Sequence, residues 1–351
     1  MKAGVLEAAR ARLLEAIQDG ALRGAVVAVA NRTELLDCQA VGVVGSEPTS
    51  APLRRSDRFL LTSITKTMTA VQVLQLVEQG RLALDAPVAS YLPAFAANGK
   101  AEVRLWHLLT HTSGLDQQAN TVERATPGMT AADHLQQALE AGLSFAPGER
   151  VEYCSPTFWV LAELITRLSG ESYVEHFDRH IAAACGMRAT GYDVTATSDA
   201  VPAYGVADPT LPDQQRRLAY PAGAIVSTAE DLVLFGQALL NAGRAQTDQR
   251  LLAPATVRAA VESRTDHLPG NPFGTTRSLG FVFGGPGTLR SPTTFGHGGA
   301  SGTYFWVDPR AEVVVVFLSA NWSLDRRLLA AVIDTVVGQL SLAARHRRLR
   351  W

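Results

Sequence analysis

The chain has 351 residues, 47% of them hydrophobic and 19% charged, with a formal net charge of −1. That length supports a large buried core, and the composition excludes a disordered polymer. The balanced charge leaves no cationic surplus for nucleic acid or an anionic membrane surface, so neither is expected as a partner.

The elements read as follows in chain order. Val5, Leu6, Ala9, Leu13, Leu14 and Ile17 recur at helical spacing, with Glu7, Arg10, Arg12 and Glu15 between them. This predicts an amphipathic helix at the start of the chain, not a signal peptide. Two short β-branched strands follow, over 24–30 and 35–44. A long helix is expected over 63–79, with Gly80 as its C-cap. From there to about 190 there is almost no strand signal, and helices are expected near 105–110, 131–141, 156–169 and 173–184. Residues 192–222 are rich in Pro, Gly and Asp and read as long loops. Helix resumes over 228–240 and 254–261. Strands return over 279–283, 302–307 and 312–319, and a helix over 324–343 closes the chain. The densest apolar run, 313–318, is strand-sized and too short to span a membrane.

With strands at both ends and helices between, the expected class is α/β, in detail α+β. One antiparallel sheet built from 1–62 and 205–351 is covered by the terminal helices, and a mainly helical lobe over 63–204 is inserted. A cleft between the lobes is the expected place for a site. Cys38, Cys154 and Cys185 are odd in number, far apart and without C-x-x-C spacing. They read as reduced thiols of a cytoplasmic protein, with no disulfide framework, metal site or cofactor expected.

The segment LLTSITKTMTA places Ser63 three residues before Lys66, one turn apart on one helix face. A serine hydroxyl is a poor nucleophile until a base takes its proton, and a desolvated lysine can be that base. The chain holds only three lysines, Lys2, Lys66 and Lys100, against 29 arginines. A chance S-x-x-K is therefore expected only about 0.16 times. A snorkelling surface lysine is the competing reading, but arginine serves that purpose equally well. Only lysine can lose its proton when buried.

Tyr153, in FAPGERVEYCSPTFWVLAELI, precedes an apolar helix. A phenol near cations can shuttle a proton; a packed aromatic at the start of a helix is the alternative. Ser155 before Pro156 reads as an N-cap with Pro at N1. His297 is flanked by glycines in TTFGHGGASGTYFWVDP, where a strand edge can offer the Ala300 N–H to an oxyanion opposite that of Ser63. A glycine-rich hairpin with an incidental histidine is the alternative there.

LLTSITKTMTA, LWHLLTHTSGL, FAPGERVEYCSPTFWVLAELITRLSG and FGHGGASGTYFWVDP occur in this order, and AYPAGAIVSTAEDLVLFGQALL lies between the last two. Over residues 24–345 the set resembles the penicillin-recognising serine hydrolases, closest to class C β-lactamases and family VIII carboxylesterases. The resemblance implies Ser63 as nucleophile, Lys66 as its partner and Tyr153 as a second acid or base. It implies an oxyanion hole at the N–H groups of Ser63 and Ala300, and substrate contacts from Ser155, His297, Gly298 and Gly299. Ser155 stands where the family has Asn, and His297-Gly298 where it often has Lys-Thr. Losing that lysine removes an anchor for a β-lactam carboxylate, which shifts the expectation toward small neutral esters. A β-lactamase, D-amino peptidase or acyltransferase is the alternative, and a non-catalytic penicillin binder or sensor is a second class. Which of Lys66 and Tyr153 takes the first proton stays open at this stage, since the two are expected to titrate as a unit.

Other chemistries fit less well. No G-x-S-x-G elbow is present. His107 and His111 have metal-compatible spacing but no H-E-x-x-H pattern or nearby carboxylate set, so HTSGL reads as architectural. Cys154 reads as an inert buried thiol, not a nucleophile.

Overall fold

Nine strands and eleven α-helices form among the described residues of the computed structural model, which are 4–45, 50–116, 128–195, 197–270, 275–284, 288–322 and 324–345. The strands are β1 (Gly24–Ala30), β2 (Leu35–Gly42), β3 (Phe59–Leu60), β4 (Gly191–Tyr192), β5 (Ile225–Ser227), β6 (Val282–Phe283), β7 (Phe295–Gly299), β8 (Thr303–Asp308) and β9 (Val313–Ser319). The helices are α1 (Glu7–Gln18), α2 (Thr65–Glu78), α3 (Leu105–Leu109), α4 (Ala131–Glu140), α5 (Thr157–Ser169), α6 (Tyr173–Phe177), α7 (Ala183–Cys185), α8 (Leu211–Arg217), α9 (Ala229–Leu240), α10 (Pro254–Ala260) and α11 (Arg326–Arg345).

Six strands make one antiparallel sheet in the order β2-β1-β9-β8-β7-β6, so the first and last thirds of the chain meet at its centre. Val27 pairs with Phe317 across β1 and β9, and His297 with Phe305 across β7 and β8. Strand side chains alternate between faces. Ala25, Val27, Val29, Val313, Val315 and Phe317 pack with Leu6 at the start of α1, Leu13 of α1, and Leu329 and Val336 of α11. Val26, Ala28, Val314, Val316 and Leu318 face the other way, toward Phe235 of α9. β1 and β9 are thus buried on both faces, which is why their sequences are unbroken apolar runs without alternation. The second core continues into the helical region, where Met68 and Val71 of α2 meet Phe158 and Leu161 of α5.

α2 is buried from Thr65 to Leu76, polar residues included. Its hydroxyls find carbonyl acceptors: Thr67 donates within its own turn to Ile64 at 2.8 Å, and Thr69 donates to Pro221 of a distant segment at 2.7 Å. A second, three-stranded sheet, β3-β5-β4, ties the chain before Ser63 to the chain after Ala222.

The structure corrects several sequence expectations. The helix over 63–79 starts instead as a 3₁₀ turn over Thr62–Ile64, with α2 beginning at Thr65 and Gly80 following in the left-handed region. Strand 279–283 shrinks to β6, because Gly280 turns the chain at a φ of +90°. The loops over 192–222 contain α8, whose Pro212 occupies its first turn. The 173–184 helix is interrupted by a π-helical stretch over Asp178–Ala182. Ser155 is not a side-chain N-cap: α5 begins at Thr157 after Pro156, and Thr157 Oγ1 instead donates to the Cys154 carbonyl at 2.8 Å. No described helix is long and apolar enough to cross a membrane.

Lys100 is fully buried and donates to the carbonyls of Leu139, at 2.9 Å, and Ala141, capping the C-terminal end of α4. Burial lowers its pKa. Lys100→Met removes these charge-assisted bonds and is expected to cost about 2 kcal/mol. Urea unfolding should show a lower midpoint with an unchanged slope; an unchanged midpoint contradicts this role.

Candidate active site

Ser63 lies in the 3₁₀ turn that opens α2, where backbone N–H groups at a helix start favour negative charge. Thr62, just before it, has a φ of +46°, a left-handed conformation that costs a β-branched residue about 1–2 kcal/mol. Hydrogen bonds from Ser301 of the β7–β8 turn and Thr303 at the start of β8 hold that strain in place. The Ser301 N–H donates to Thr62 Oγ1 at 3.3 Å, Ser301 Oγ donates to the Leu60 carbonyl at 2.7 Å, and Thr303 Oγ1 donates to the Leu61 carbonyl at 2.9 Å. Gly299 packs so closely here that a Cβ would overlap the Leu61 carbonyl, Thr62 Oγ1 and Thr303 Oγ1. The end of β7 therefore runs directly alongside the serine turn, and Ala300 follows as the first, exposed residue of the turn to β8.

Ser63 Oγ receives two hydrogen bonds, from Tyr153 Oη at 2.7 Å and from Lys66 Nζ at 3.1 Å. Lys66 is only 1% exposed and also donates to the Ala222 carbonyl at 3.0 Å. That carbonyl is delivered by the chain entering β5, so the small sheet positions one of the amine's acceptors. Its ammonium also lies 4.9 Å from the Tyr153 ring centroid and 5.4 Å from that of Phe158. Burial of the Tyr153 phenol works to raise its pKa. The Lys66 charge, hydrogen bonds with Lys66 and Ser63, and the charge of Arg277 outweigh burial and bring it below the ordinary tyrosine value.

His111 fixes the backbone around Tyr153 from both sides. Its carbonyl accepts from the Glu152 N–H at 2.9 Å, and its Nδ1 accepts from the Cys154 N–H at 3.0 Å. Its ring lies 4.6 Å from that of Tyr153. Burial, and then the charges of Arg277 and Lys66, push its pKa well down, so it is neutral and available as that acceptor. The residue is architectural, but what it builds is the tyrosine turn. His107 caps α3, its Nδ1 accepting from the Arg104 N–H at 2.9 Å. Cys154 donates to the Leu115 carbonyl, and burial pushes its thiol up to about 12, which keeps it protonated and inert.

His297 is 6% exposed on β7. Burial first, then the Arg277 and Lys66 charges, push its pKa down to about 3. Its Nδ1–H donates to the Gly298 carbonyl at 2.6 Å, and its Nε2, an acceptor in this tautomer, has no hydrogen-bond partner among the described residues. Ser155 is half-buried, and its carbonyl accepts from the Phe158 N–H at 3.0 Å. Ser63, Lys66, Tyr153 and His297 thus converge.

One neighbour has no counterpart in the sequence reading. Arg277 is 6% exposed, with its guanidinium carbon 4.9 Å from the Tyr153 ring centroid. Nothing in the sequence distinguishes it from the other arginines; its place follows from how the segment before β6 folds onto α2. A second buried cationic side chain therefore lies against Tyr153 besides Lys66.

The profile of the Beta-lactamase family matches residues 10–336. Esterase EstB from Burkholderia gladioli is 36% identical over 206 residues, which is 53% of this chain and 52% of that protein, about half the length of each. Penicillin-binding protein 4 from Amycolatopsis lactamdurans is 29% identical over 81% of this chain and 77% of its own. Among solved structures, EstCE1, described as a hydrolase with promiscuous acyltransferase activity, superposes with a TM-score of 0.82 at 22% identity, over 95% of this chain and 99% of that one. The sheet, the terminal helices and the helical region are those of the β-lactamase fold, and the chain belongs to the β-lactamase family as a serine hydrolase.

Proposed function

We propose that the protein is a carboxylesterase acting on small esters through an acyl-enzyme on Ser63. The observation that carries this reading is the double contact of Ser63 Oγ with Tyr153 Oη, at 2.7 Å, and Lys66 Nζ, at 3.1 Å. Ser63 Oγ attacks the ester carbonyl carbon while its proton passes to the coupled Tyr153–Lys66 unit. The N–H groups of Ser63 and Ala300 hold the resulting oxyanion. Collapse breaks the C–O bond to the leaving alcohol, which takes the proton back from the unit. Water then attacks the acyl-serine with the same unit as base, releasing the carboxylic acid and restoring Ser63.

The ester preference rests on two supports. EstB is named an esterase. His297, buried and neutral, adds no charge of its own and so suits a neutral substrate better than a carboxylate. The absence of a lysine at 297 carries less weight than the sequence suggests, because Arg277 supplies a cation nearby. A β-lactamase or D-amino peptidase reading shares every chemical step, and the resemblance to Penicillin-binding protein 4 keeps it the second reading.

A panel of p-nitrophenyl esters, nitrocefin and D-alanyl dipeptides, assayed on wild type and Ser63→Ala, separates these readings. The expected result is multiple turnover of short-chain esters, lost in Ser63→Ala with the fold intact. Efficient nitrocefin or peptide turnover overturns the ester assignment, a single equivalent of acylation followed by a stall points to a sensor, and near-normal esterase activity in Ser63→Ala removes the mechanism.

A further inference from the structure

Arg277 stands in a segment locked to its surroundings through the backbone. Its N–H donates to Thr265 Oγ1 at 2.8 Å, and its carbonyl accepts from the Arg264 N–H at 2.9 Å. Just beyond it, the Ser278 N–H donates to the Phe281 carbonyl at 3.0 Å and the Gly280 N–H to the Leu109 carbonyl at 3.1 Å. Gly280, at a φ of +90°, lies so close to α2 that a Cβ would overlap that of Ala70. The guanidinium is thereby placed by a rigid turn, not by a free loop.

Its surroundings do not account for it as an ordinary buried arginine. Its Nε has no hydrogen-bond partner, and it belongs to none of the ion pairs among the described residues. A buried guanidinium without a carboxylate carries a desolvation penalty that methionine in the same volume does not. What only a cation adds is a fixed positive potential at the aromatic ring beneath it. That ring is Tyr153, which has Arg277 Cζ and Lys66 Nζ each at 4.9 Å from its centroid. The other titratable groups facing the phenol are His297 from β7 and His111 after α3, and burial keeps both neutral. Glu152, adjacent in sequence, pairs with Arg150 at 3.5 Å.

We propose that Arg277 is a positioning residue for Tyr153: packed on the ring and unanswered by any carboxylate among the described residues, it holds the phenol oxygen against Ser63 and stabilises negative charge on it. It takes over, from a different segment of the chain, a permanent charge that His297 does not supply. This rests on the Ser63–Tyr153 reading for its catalytic consequence, but the electrostatic part is measurable without turnover.

The test compares wild type, Arg277→Met and Arg277→Lys, each labelled with [¹³Cζ]tyrosine, with the Tyr153 signal assigned through Tyr153→Phe. Removing a positive charge disfavours the phenolate, so the Tyr153 titration midpoint should rise in Arg277→Met by about one pH unit. The acid limb of kcat/KM for p-nitrophenyl acetate should move up with it. Activity on that limb then falls about 10-fold and recovers at higher pH. Arg277→Lys keeps the charge and should stay near wild type in both. A Tyr153 midpoint that does not move in Arg277→Met overturns the proposal, as does an activity loss equal at every pH that lysine fails to rescue. If wild-type hydrolysis proves independent of Ser63, the functional reading fails while the midpoint still decides the role of Arg277. Arg277→Gln replaces the methionine variant should thermal unfolding show that the latter does not fold.

Discussion

Lys66→Arg is expected to lower kcat/KM for p-nitrophenyl acetate about 10³-fold, a loss in the range that an acid–base group supplies. The substitution keeps the positive charge but removes the ability to give it up, because a guanidinium stays protonated in proteins. It also has the wrong shape. Lys66 Nζ satisfies Ser63 Oγ and the Ala222 carbonyl from a fully enclosed position on α2, and a planar fork cannot occupy that point without displacing Tyr153 or Phe158. A loss of only a few-fold would show that the lysine contributes charge alone and would remove it from the proton path.

Tyr153→Phe is expected to cost about 10³-fold as well, while leaving the ring contacts with His111 and Arg277 in place. The phenol oxygen makes the shorter of the two bonds to Ser63, and the phenylalanine variant deletes only that atom. Because Lys66 and Tyr153 serve one proton, the double variant Lys66→Arg/Tyr153→Phe should be little worse than either single change. Steady-state rates of the four proteins of this cycle check both points. Multiplying losses would mean that the two groups act at separate steps.

How much of this was legible in the sequence follows from the physics of each element. β1 and β9 are long, β-branched and sandwiched between helices, so composition alone marks them. β3, β4 and β5 have two or three residues each, too few to show a period, and only tertiary pairing creates them. Yet this small sheet brings the Ala222 carbonyl to Lys66, so a structural part of the site was invisible. Ser63 and Lys66 could be read because their relation is local, three residues within one turn. Tyr153 and His297 needed the family resemblance, since nothing in the spacing from 63 to 153 or 297 states a contact. The N-cap expectation at Ser155 failed for a local reason: a Ser-Pro pair signals a helix start, but Pro156 itself takes the helical conformation of the cap position and the bonding hydroxyl is that of Thr157. Thr62 gave no signal at all. A β-branched residue is a poor guess for a left-handed position, and the hydrogen bonds that hold it there come from the Ser301 N–H and the Ser301 and Thr303 hydroxyls, some 240 residues later. Arg277 was hidden for a related reason. Arginine is the common cation of this chain, and only the turn at Gly280 packed on Ala70 places this one over the tyrosine.

The proposed catalysis passes through a covalent bond at one oxygen atom, Ser63 Oγ. The most direct measurement is rapid acid quench of the enzyme during p-nitrophenyl acetate turnover, followed by mass spectrometry of its peptides. An acetyl group on the peptide containing Ser63, forming before steady state and absent from Ser63→Ala, is the predicted result. Turnover with no adduct at Ser63, or with the adduct on another residue, would contradict it.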